Sequence, residues 1–314
     1  MEEEAKEGEE AEGPFVGVLG TPMCPLAVDM TEVSYCINRI RKMENLHLAP
    51  NLRSLCLRQN FIKAIEDLDQ VPALTELELY DNKIPAIVGL EPVRNLVYLD
   101  LSYNLIRKIE GLEGLTSLRK LYLIANKLKT FEGLETLRSL EVLELGSNKI
   151  KQIQGLGFLT SLKELWLAKN RIRKIENVGH LASLEILSLA ANRLTVIEGV
   201  ETLQGLNQLL LNENYIAEIG VLPPFPNLEL LDLSDNAIDS LATLGNLPQL
   251  TELWLTNNKV ATFEELEHLR RIPPLQTVYF ERCPVAAYPD YRMKVMEVCP
   301  NIRQIDGHHL VRSS

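Results

Sequence analysis

The sequence predicts an α/β solenoid in the form of a horseshoe, with about twelve coils of 22 residues each. We expect a parallel β-sheet on the concave side, 3₁₀ or irregular segments on the convex side, and a helical cap at the C-terminal end. Three observations lead to this prediction. An asparagine recurs at a constant interval, an alternating apolar pair precedes it, and apolar residues at a spacing of three follow it.

The interval between the recurring asparagines is 22 residues, and it holds over most of the chain. These asparagines stand at positions 38, 60, 82, 104, 126, 148, 170, 192, 214, 236 and 258. Around them the chain follows the pattern LxxLxLxxNxIxxIxxLxxL, as in the unit from Leu96 to Leu115. A period of this length with this pattern is typical of leucine-rich repeats, in which each unit forms one coil of a stack.

Each part of the pattern predicts one part of the coil. The LxL pair predicts a short strand, because a period of two sends both leucines to the same side. The spacing of three after the asparagine favours a tight 3₁₀-like or extended return. The asparagine lies where the strand ends inside an apolar stack, and its amide can both donate to and accept from backbone groups there. We therefore predict a structural ladder of asparagines.

The ends of the chain differ from its middle, and we predict three regions: an acidic tail with an N-terminal lead-in at 1–30, the solenoid at 31–286, and a C-terminal cap at 287–314. The first stretch, MEEEAKEGEEAEG, holds seven glutamates and one lysine, a composition typical of disorder. Near the other end, TFEELEHLRRIP predicts a short helix. After Pro289, the helical spacing of Tyr291, Val295 and Val298 predicts a second helix that covers the last coil.

The composition restricts the classes of function. The chain has 314 residues, a net charge of −11 and no dense run of Lys and Arg, so we expect no nucleic-acid partner. We find no apolar run long enough to span a membrane and no signal segment, so we expect an intracellular protein without a membrane partner. The five cysteines include no CxxC pair, and the five histidines form no ligand-like arrangement. We therefore predict no metal, no cofactor and no enzymatic activity.

The residue between the paired leucines changes from coil to coil, and it should point onto the concave face. We call this series the central column: Cys56, Glu78, Asp100, Tyr122, Glu144, Trp166, Ser188, Leu210, Asp232, Trp254 and Tyr279. Acids and aromatic residues alternate along it, and it contains both tryptophans of the chain but no Lys or Arg. Exposed strand positions also tolerate β-forming Tyr and Trp for local reasons alone. Aromatic side chains nevertheless concentrate binding energy at interfaces, so we predict a protein-binding face.

Several stretches of the chain resemble the leucine-rich-repeat regulatory subunits of type-1 protein phosphatase. They are RKIEGLEGL, RKIENVGHL, LCLRQNFIKAIEDL, VLELGSNKI and the C-terminal TVYFERCPVAAYPDYRMKVMEVCPNIRQID. The resemblance implies a non-catalytic subunit that binds the phosphatase catalytic subunit through its concave face. It also implies control of the activity, assembly or targeting of that enzyme in the nucleus and cytoplasm, with a further phosphatase inhibitor subunit as another partner.

By position, the resemblance implies that six members of the central column bind the partner: Asp100, Tyr122, Glu144, Trp166, Trp254 and Tyr279. Tyr122 and Trp166 stand where the family has phenylalanine, and both remain aromatic. We expect the aromatic side chains to bury in the partner, while the carboxylates of Asp100, Glu144 and Asp232 face its basic residues.

Other classes of protein share this repeat. The main alternative is a scaffold of a spliceosomal or ciliary complex, which would bind a different protein through the same face. A bacterial surface adhesin would need a secretion signal, which we do not find in the sequence. An enzyme using Asp100 and Glu144 as a carboxylate pair would need a pocket, which an open curved sheet does not offer.

Overall fold

The computed structural model describes residues 17–245 and 247–310. Short strands dominate, and helices are few. The strands are β1 (Glu32–Ser34), β2 (Ser54–Cys56), β3 (Glu76–Glu78), β4 (Tyr98–Asp100), β5 (Lys120–Tyr122), β6 (Val142–Glu144), β7 (Glu164–Trp166), β8 (Ile186–Ser188), β9 (Gln208–Leu210), β10 (Leu230–Asp232), β11 (Glu252–Trp254), β12 (Thr277–Tyr279), β13 (Gln304–Ile305) and β14 (His308–His309). The α-helices are α1 (Phe263–Glu267) and α2 (Tyr291–Val298), and 3₁₀ helices lie at Leu46–Leu48, Leu68–Gln70, His268–Arg271 and Pro284–Ala287.

These strands form one sheet in chain order, from β1 at one edge to β14 at the other. Neighbouring strands from β1 to β13 are parallel, and β14 turns back antiparallel to β13. Each residue of β1 to β10 pairs with the residue 22 positions later in the chain, as Leu99 does with Leu121. The predicted solenoid with a parallel sheet is therefore confirmed.

The core runs the length of the stack and is built from the two apolar segments of each coil. In the coil of β4, Leu99 and Leu101 are completely buried, as the alternation of the strand predicted. Ile106 and Ile109 of the following return are also buried and form the opposite wall. Because every coil has two open apolar sides, each coil covers its neighbours and a single continuous core results.

The recurring asparagines form the predicted ladder, and Asn148 illustrates its geometry. Its Oδ1 accepts a hydrogen bond from the backbone N–H of Leu128 (3.0 Å). Its Nδ2 donates to the carbonyl oxygens of Leu123 (2.9 Å) and Leu145 (3.0 Å). Leu123 and Leu128 belong to the preceding coil, so one buried amide connects two coils through its donor and its acceptor.

The N-terminal end of the stack is covered by the segment before β1. Leu19 and Cys24 are buried there, and the side-chain amide of Asn45 donates to the Leu19 carbonyl oxygen (2.9 Å). The N–H of Gly17 donates to the carbonyl oxygen of Asn38 in the first coil (2.8 Å). The predicted acidic tail at residues 1–13 lies outside the described residues, and the boundaries of the three predicted regions stay predictions.

The C-terminal end is covered by helical structure. Helix α1 and the 3₁₀ helix His268–Arg271 occupy the longer return, where the sequence predicted a short helix. Helix α2 follows and buries the three residues with the predicted helical spacing, Tyr291, Val295 and Val298. Cys283 stands at the ladder position of the last coil, where its thiol donates to the Leu255 carbonyl oxygen (3.1 Å). The thiol therefore supplies part of the bonding that an asparagine supplies elsewhere.

Candidate protein-binding face

The central column lies on the sheet as predicted, because each of its members is the third residue of a strand from β2 to β12. Four of the predicted site residues lie side by side on β4–β7: Asp100, Tyr122, Glu144 and Trp166. We call this group the first patch. The remaining two, Trp254 and Tyr279, pair on β11 and β12 and form the second patch. Trp166 and Trp254 are four strand spacings apart, or about 19 Å along the sheet.

Asp100 and Asp232 keep their predicted places in the column, but their carboxylates do not face outward as expected. They are 6% and 7% exposed. The Oδ1 of each accepts the backbone N–H two residues ahead, from Ser102 and Ser234 respectively (2.9 Å in both cases). A side chain this short bends back to a nearby unpaired N–H. Of the three acids expected to face a partner, Glu144 is the one that keeps a half-exposed carboxylate.

Aromatic rings and carboxylates alternate across the first patch. The rings of Tyr98 and Tyr122 lie 5.3 Å apart between centroids. The indole N–H of Trp166 donates to the Glu164 carboxylate (3.0 Å), which holds the indole ring on the sheet face. Glu144 lies between Tyr122 and Trp166 in the register. Neither Glu144 nor Glu164 forms an ion pair with a residue in the described part of the chain.

The surroundings of Glu144 in the first patch disfavour the charged form of its carboxyl group. Burial, followed by the neighbouring charges of Asp100 and Glu164, raises the pKa of Glu144. Burial, followed by the carboxylates of Glu164 and Glu144, raises the pKa of the Tyr122 hydroxyl. A cationic group of a partner would offset this repulsion, so the electrostatics of the first patch favour a basic surface opposite it.

Replacing Glu144 with glutamine is expected to change how stability depends on pH. Because the pKa of Glu144 is raised on folding, its contribution to stability is greatest in acid, below the unfolded pKa. That contribution is lost as the pH rises through the folded pKa, whereas glutamine stays neutral. Urea denaturation should therefore show the Glu144→Gln variant gaining stability relative to the parent between about pH 4 and about pH 7. A constant difference across this range would contradict the expectation.

The second patch combines two aromatic rings, one of which has a buried and unpaired N–H. The centroids of Trp254 and Tyr279 lie 5.6 Å apart, with the rings inclined at 69°. The Tyr279 hydroxyl accepts a hydrogen bond from the side-chain amide of Gln304 on β13 (2.6 Å). The buried indole N–H of Trp254 has no hydrogen-bond partner among the described residues. The indole therefore offers its ring, rather than this enclosed N–H, to a bound protein.

A tyrosine pair extends the aromatic surface beyond the first patch. Tyr80 and Tyr103 lie 4.9 Å apart between ring centroids, and the guanidinium of Arg58 lies 4.5 Å from the Tyr80 ring. Both tyrosines follow a member of the central column by two or three residues. Arg58 and Gln304 were missed: Arg58 lies outside the column, and Gln304 lies beyond the regular repeats.

Other kinds of site find no support in the described structure. Within residues 17–245 and 247–310, no cluster of three or more His, Cys, Asp or Glu side chains is placed to hold a metal ion. The helices in that part of the chain are all too short or too polar to be membrane spans. All five cysteines are unpaired thiols.

Comparisons with known proteins agree with this architecture. A family profile described as leucine-rich repeats (2 copies) matches residues 94–136, 138–180 and 226–268. A leucine-rich-repeat protein of Leptospira interrogans is 27% identical, with a TM-score of 0.68, over 85% of this chain and 76% of that one. An internalin of Listeria monocytogenes is 25% identical, with a TM-score of 0.72, over 90% of this chain and 88% of that one.

One curated relative has a more specific name. Protein phosphatase 1 regulatory subunit 7 of Xenopus tropicalis is 47% identical over 45 residues. The match spans 14% of this chain and 13% of the length of that relative. The repeat profile and the solved structures cover much more of the chain than this match does. The chain therefore has the solenoid fold of leucine-rich-repeat proteins, and three stretches of it match the repeat profile.

Proposed function

We propose that this protein is a non-catalytic regulatory subunit that binds the catalytic subunit of type-1 serine/threonine protein phosphatase through its concave face. The observation that carries the proposal is the presence of two patches on one face of the sheet, the first aromatic and acidic and the second aromatic. The short match to a phosphatase regulatory subunit, at 47% identity, supports the choice of partner.

The two patches have the properties of binding hot spots. Trp166, Trp254 and Tyr279 are half-buried rings held in place by hydrogen bonds or ring contacts, so little conformational freedom is lost on binding. Glu144 and Glu164 supply unpaired negative charge beside the rings. We expect an interface of about 1,600 Å² or more, with basic residues of the phosphatase opposite the first patch.

The proposed consequence for the phosphatase is control of its activity, assembly or targeting in the nucleus and cytoplasm. A further phosphatase inhibitor subunit is included among the proposed partners. Tyr122 and Trp166 replace the phenylalanines of the resembling family, and a ring at each position keeps an apolar surface for the partner. Asp100 acts in this proposal by orienting the end of β4, since its carboxylate bonds to Ser102.

Direct binding of the purified catalytic subunit tests the proposal. Titration calorimetry at physiological salt should give a complex with a Kd of about 1 μM or tighter, as expected for a standard-size interface. Absence of heat and of co-elution at ten times that concentration would contradict it. Capture of an unrelated protein by the same face from a cell lysate, without the phosphatase, would instead favour a scaffold of another complex, spliceosomal or ciliary.

A further inference from the structure

Cationic side chains cluster on one side of the solenoid, which is formed by the residues that directly follow the ladder asparagines. The net charge of the whole chain is nevertheless negative. Two shallow depressions of about 480 Å³ and 770 Å³ lie there. We call the seven cationic residues that line them the basic flank: Lys129, Lys149, Lys151, Arg171, Arg173, Lys174 and Arg193. All seven are exposed. Among the described residues, Glu176 is the one acid that lines either depression.

The repeat brings these cations together from distant parts of the sequence. Positions directly after a ladder asparagine hold Lys149, Arg171 and Arg193, and positions two residues further hold Lys129, Lys151 and Arg173. The backbone N–H of Arg171 donates to the Ile150 carbonyl oxygen of the coil before (2.8 Å), and equivalent bonds stack the other coils. Neighbouring positions of each row are therefore about 4.8 Å apart.

Most of the cations of the basic flank form no ion pair on the described surface. Lys174 pairs with Glu198 (3.5 Å), and the other six cations form no ion pair with a described residue. Like charges at such spacing repel one another, and a flexible acidic chain laid along the rows relieves that repulsion. A site of this kind selects a linear polyanion rather than a compact ligand.

We propose that the basic flank binds the acidic segment of this same chain, residues 2–12. That segment contains seven glutamates and one lysine. Residues 1–16 lie outside the described part of the chain, and their sequence supplies the charge complementarity. Because the two partners are covalently connected, weak individual ion pairs suffice for occupancy at a high effective concentration.

The point at which the chain enters the fold supports this occupant. Gly17 bonds to Asn38, and a Cβ on Gly17 would lie 3.1 Å from the Ile40 side chain. The Ile40 carbonyl oxygen accepts from the N–H of Phe61 (2.8 Å), in the series of backbone bonds that continues to Arg171 and beyond. Gly17 therefore lies on the same flank as the basic residues, at its N-terminal end.

The distances match the length of the acidic segment. The coils that carry Lys129 and Arg193 are four and seven coils from that of Asn38, or about 19 Å and 34 Å at the usual strand spacing. Glu12 precedes Gly17 by five residues and Glu2 by fifteen, which allows reaches of up to about 17 Å and 50 Å. The glutamates can therefore extend over the whole basic flank.

A nucleic acid is the competing class of polyanion, and the flank is poorly suited to it. No aromatic residue lines either depression in the described structure, so bases would find no ring to stack on. The cations that line the two depressions also span only four coils, and the net charge of −11 repels a longer phosphate backbone beyond the cationic positions.

Zero-length carbodiimide coupling of the full chain tests the proposal, because it joins a glutamate carboxyl to a lysine amine only at contact. Mass spectrometry should find residues 2–12 coupled mainly to Lys149 and Lys151. Lys83 and Lys63 are exposed at the equivalent positions of earlier coils, nearer Gly17, and serve as matched references. If residues 2–12 met lysines only because they are joined to the fold near Gly17, coupling would be highest at Lys63 and Lys83. Preferred coupling at Lys63 and Lys83, or a yield that rises with protein concentration, would overturn the proposal.

The double change Arg171→Gln and Arg173→Gln removes charge from the basic flank but leaves the reactive lysines in place. We expect the yield at Lys149 and Lys151 to fall roughly threefold or more, with no change at Lys63 and Lys83. High salt should remove the preference in the parent chain. An oligonucleotide that binds at physiological salt, and whose binding this variant weakens while coupling stays unchanged, would assign the flank to nucleic acid instead. The central column lies on another surface, so failed phosphatase binding leaves these coupling results unaffected.

Discussion

Alanine at both Trp166 and Trp254 is expected to weaken capture of the type-1 phosphatase catalytic subunit by about 10³-fold. Each indole is the largest side chain of its patch, and truncation of a hot-spot aromatic typically costs about 2 kcal/mol or more in binding. The rings lie on the sheet face rather than in the core, so the fold should survive both changes. Calorimetric titration measures the affinity, and a thermal melt of the same samples checks the fold.

Two exposed aromatic residues away from the sheet face provide matched controls. Tyr215 is 65% exposed and Phe158 is 48% exposed. Their joint replacement with alanine removes similar apolar surface and should leave phosphatase affinity within about twofold of the parent. Equal affinities for the tryptophan variant and this control would rule out the central column as the binding site.

Replacing Asn148 with alanine is expected to lower the free energy of unfolding by about 3 kcal/mol. The change removes bonds to the backbone of Leu123, Leu128 and Leu145 together. These groups lie inside the stack, where water does not replace the lost partner. Urea denaturation monitored by circular dichroism measures the loss, and the broadening of the transition reports any uncoupling of neighbouring coils.

Asn95→Ala is the matched control, because it truncates an asparagine that is exposed outside the ladder. The Asn95 side chain donates one long bond to the Pro72 carbonyl oxygen (3.4 Å). We expect its replacement to cost less than about 0.5 kcal/mol. A similarly small cost at Asn148 would show that the ladder bonds contribute little to stability.

The fold could be predicted in detail because each coil repeats the same local physics. Alternation identified the strand residues, and the apolar spacing of three identified the return. The requirement for a bonded amide explained the asparagines, of which Asn148 is representative. At the C-terminal end, the helical spacing of Tyr291, Val295 and Val298 predicted the buried side of α2. These signals are all contained within about one coil of sequence.

The candidate site could be predicted only in part. Its column followed from the strand period, and the structure places its six predicted residues in two groups. The orientation of Asp100 and Asp232 could not be predicted, because it depends on a backbone N–H that becomes available only at the folded strand end. The basic flank was missed for a different reason. Its cations never form a dense run, and they meet only because the 22-residue period stacks equivalent positions.

The constant register from β1 to β11 makes the distance between the two tryptophans adjustable by whole numbers of coils. Deleting residues 193–214 would remove β9 and join Asn192 to Tyr215, so that the return segment after β9 would follow β8 and the 22-residue period would be kept. The separation of Trp166 and Trp254 would then shrink by one strand spacing, about 4.8 Å, with no side chain of either patch altered. The distance between the two tryptophans can thus change only in steps of one coil. Evolution or an engineer can match partners of different width by duplicating or deleting single coils.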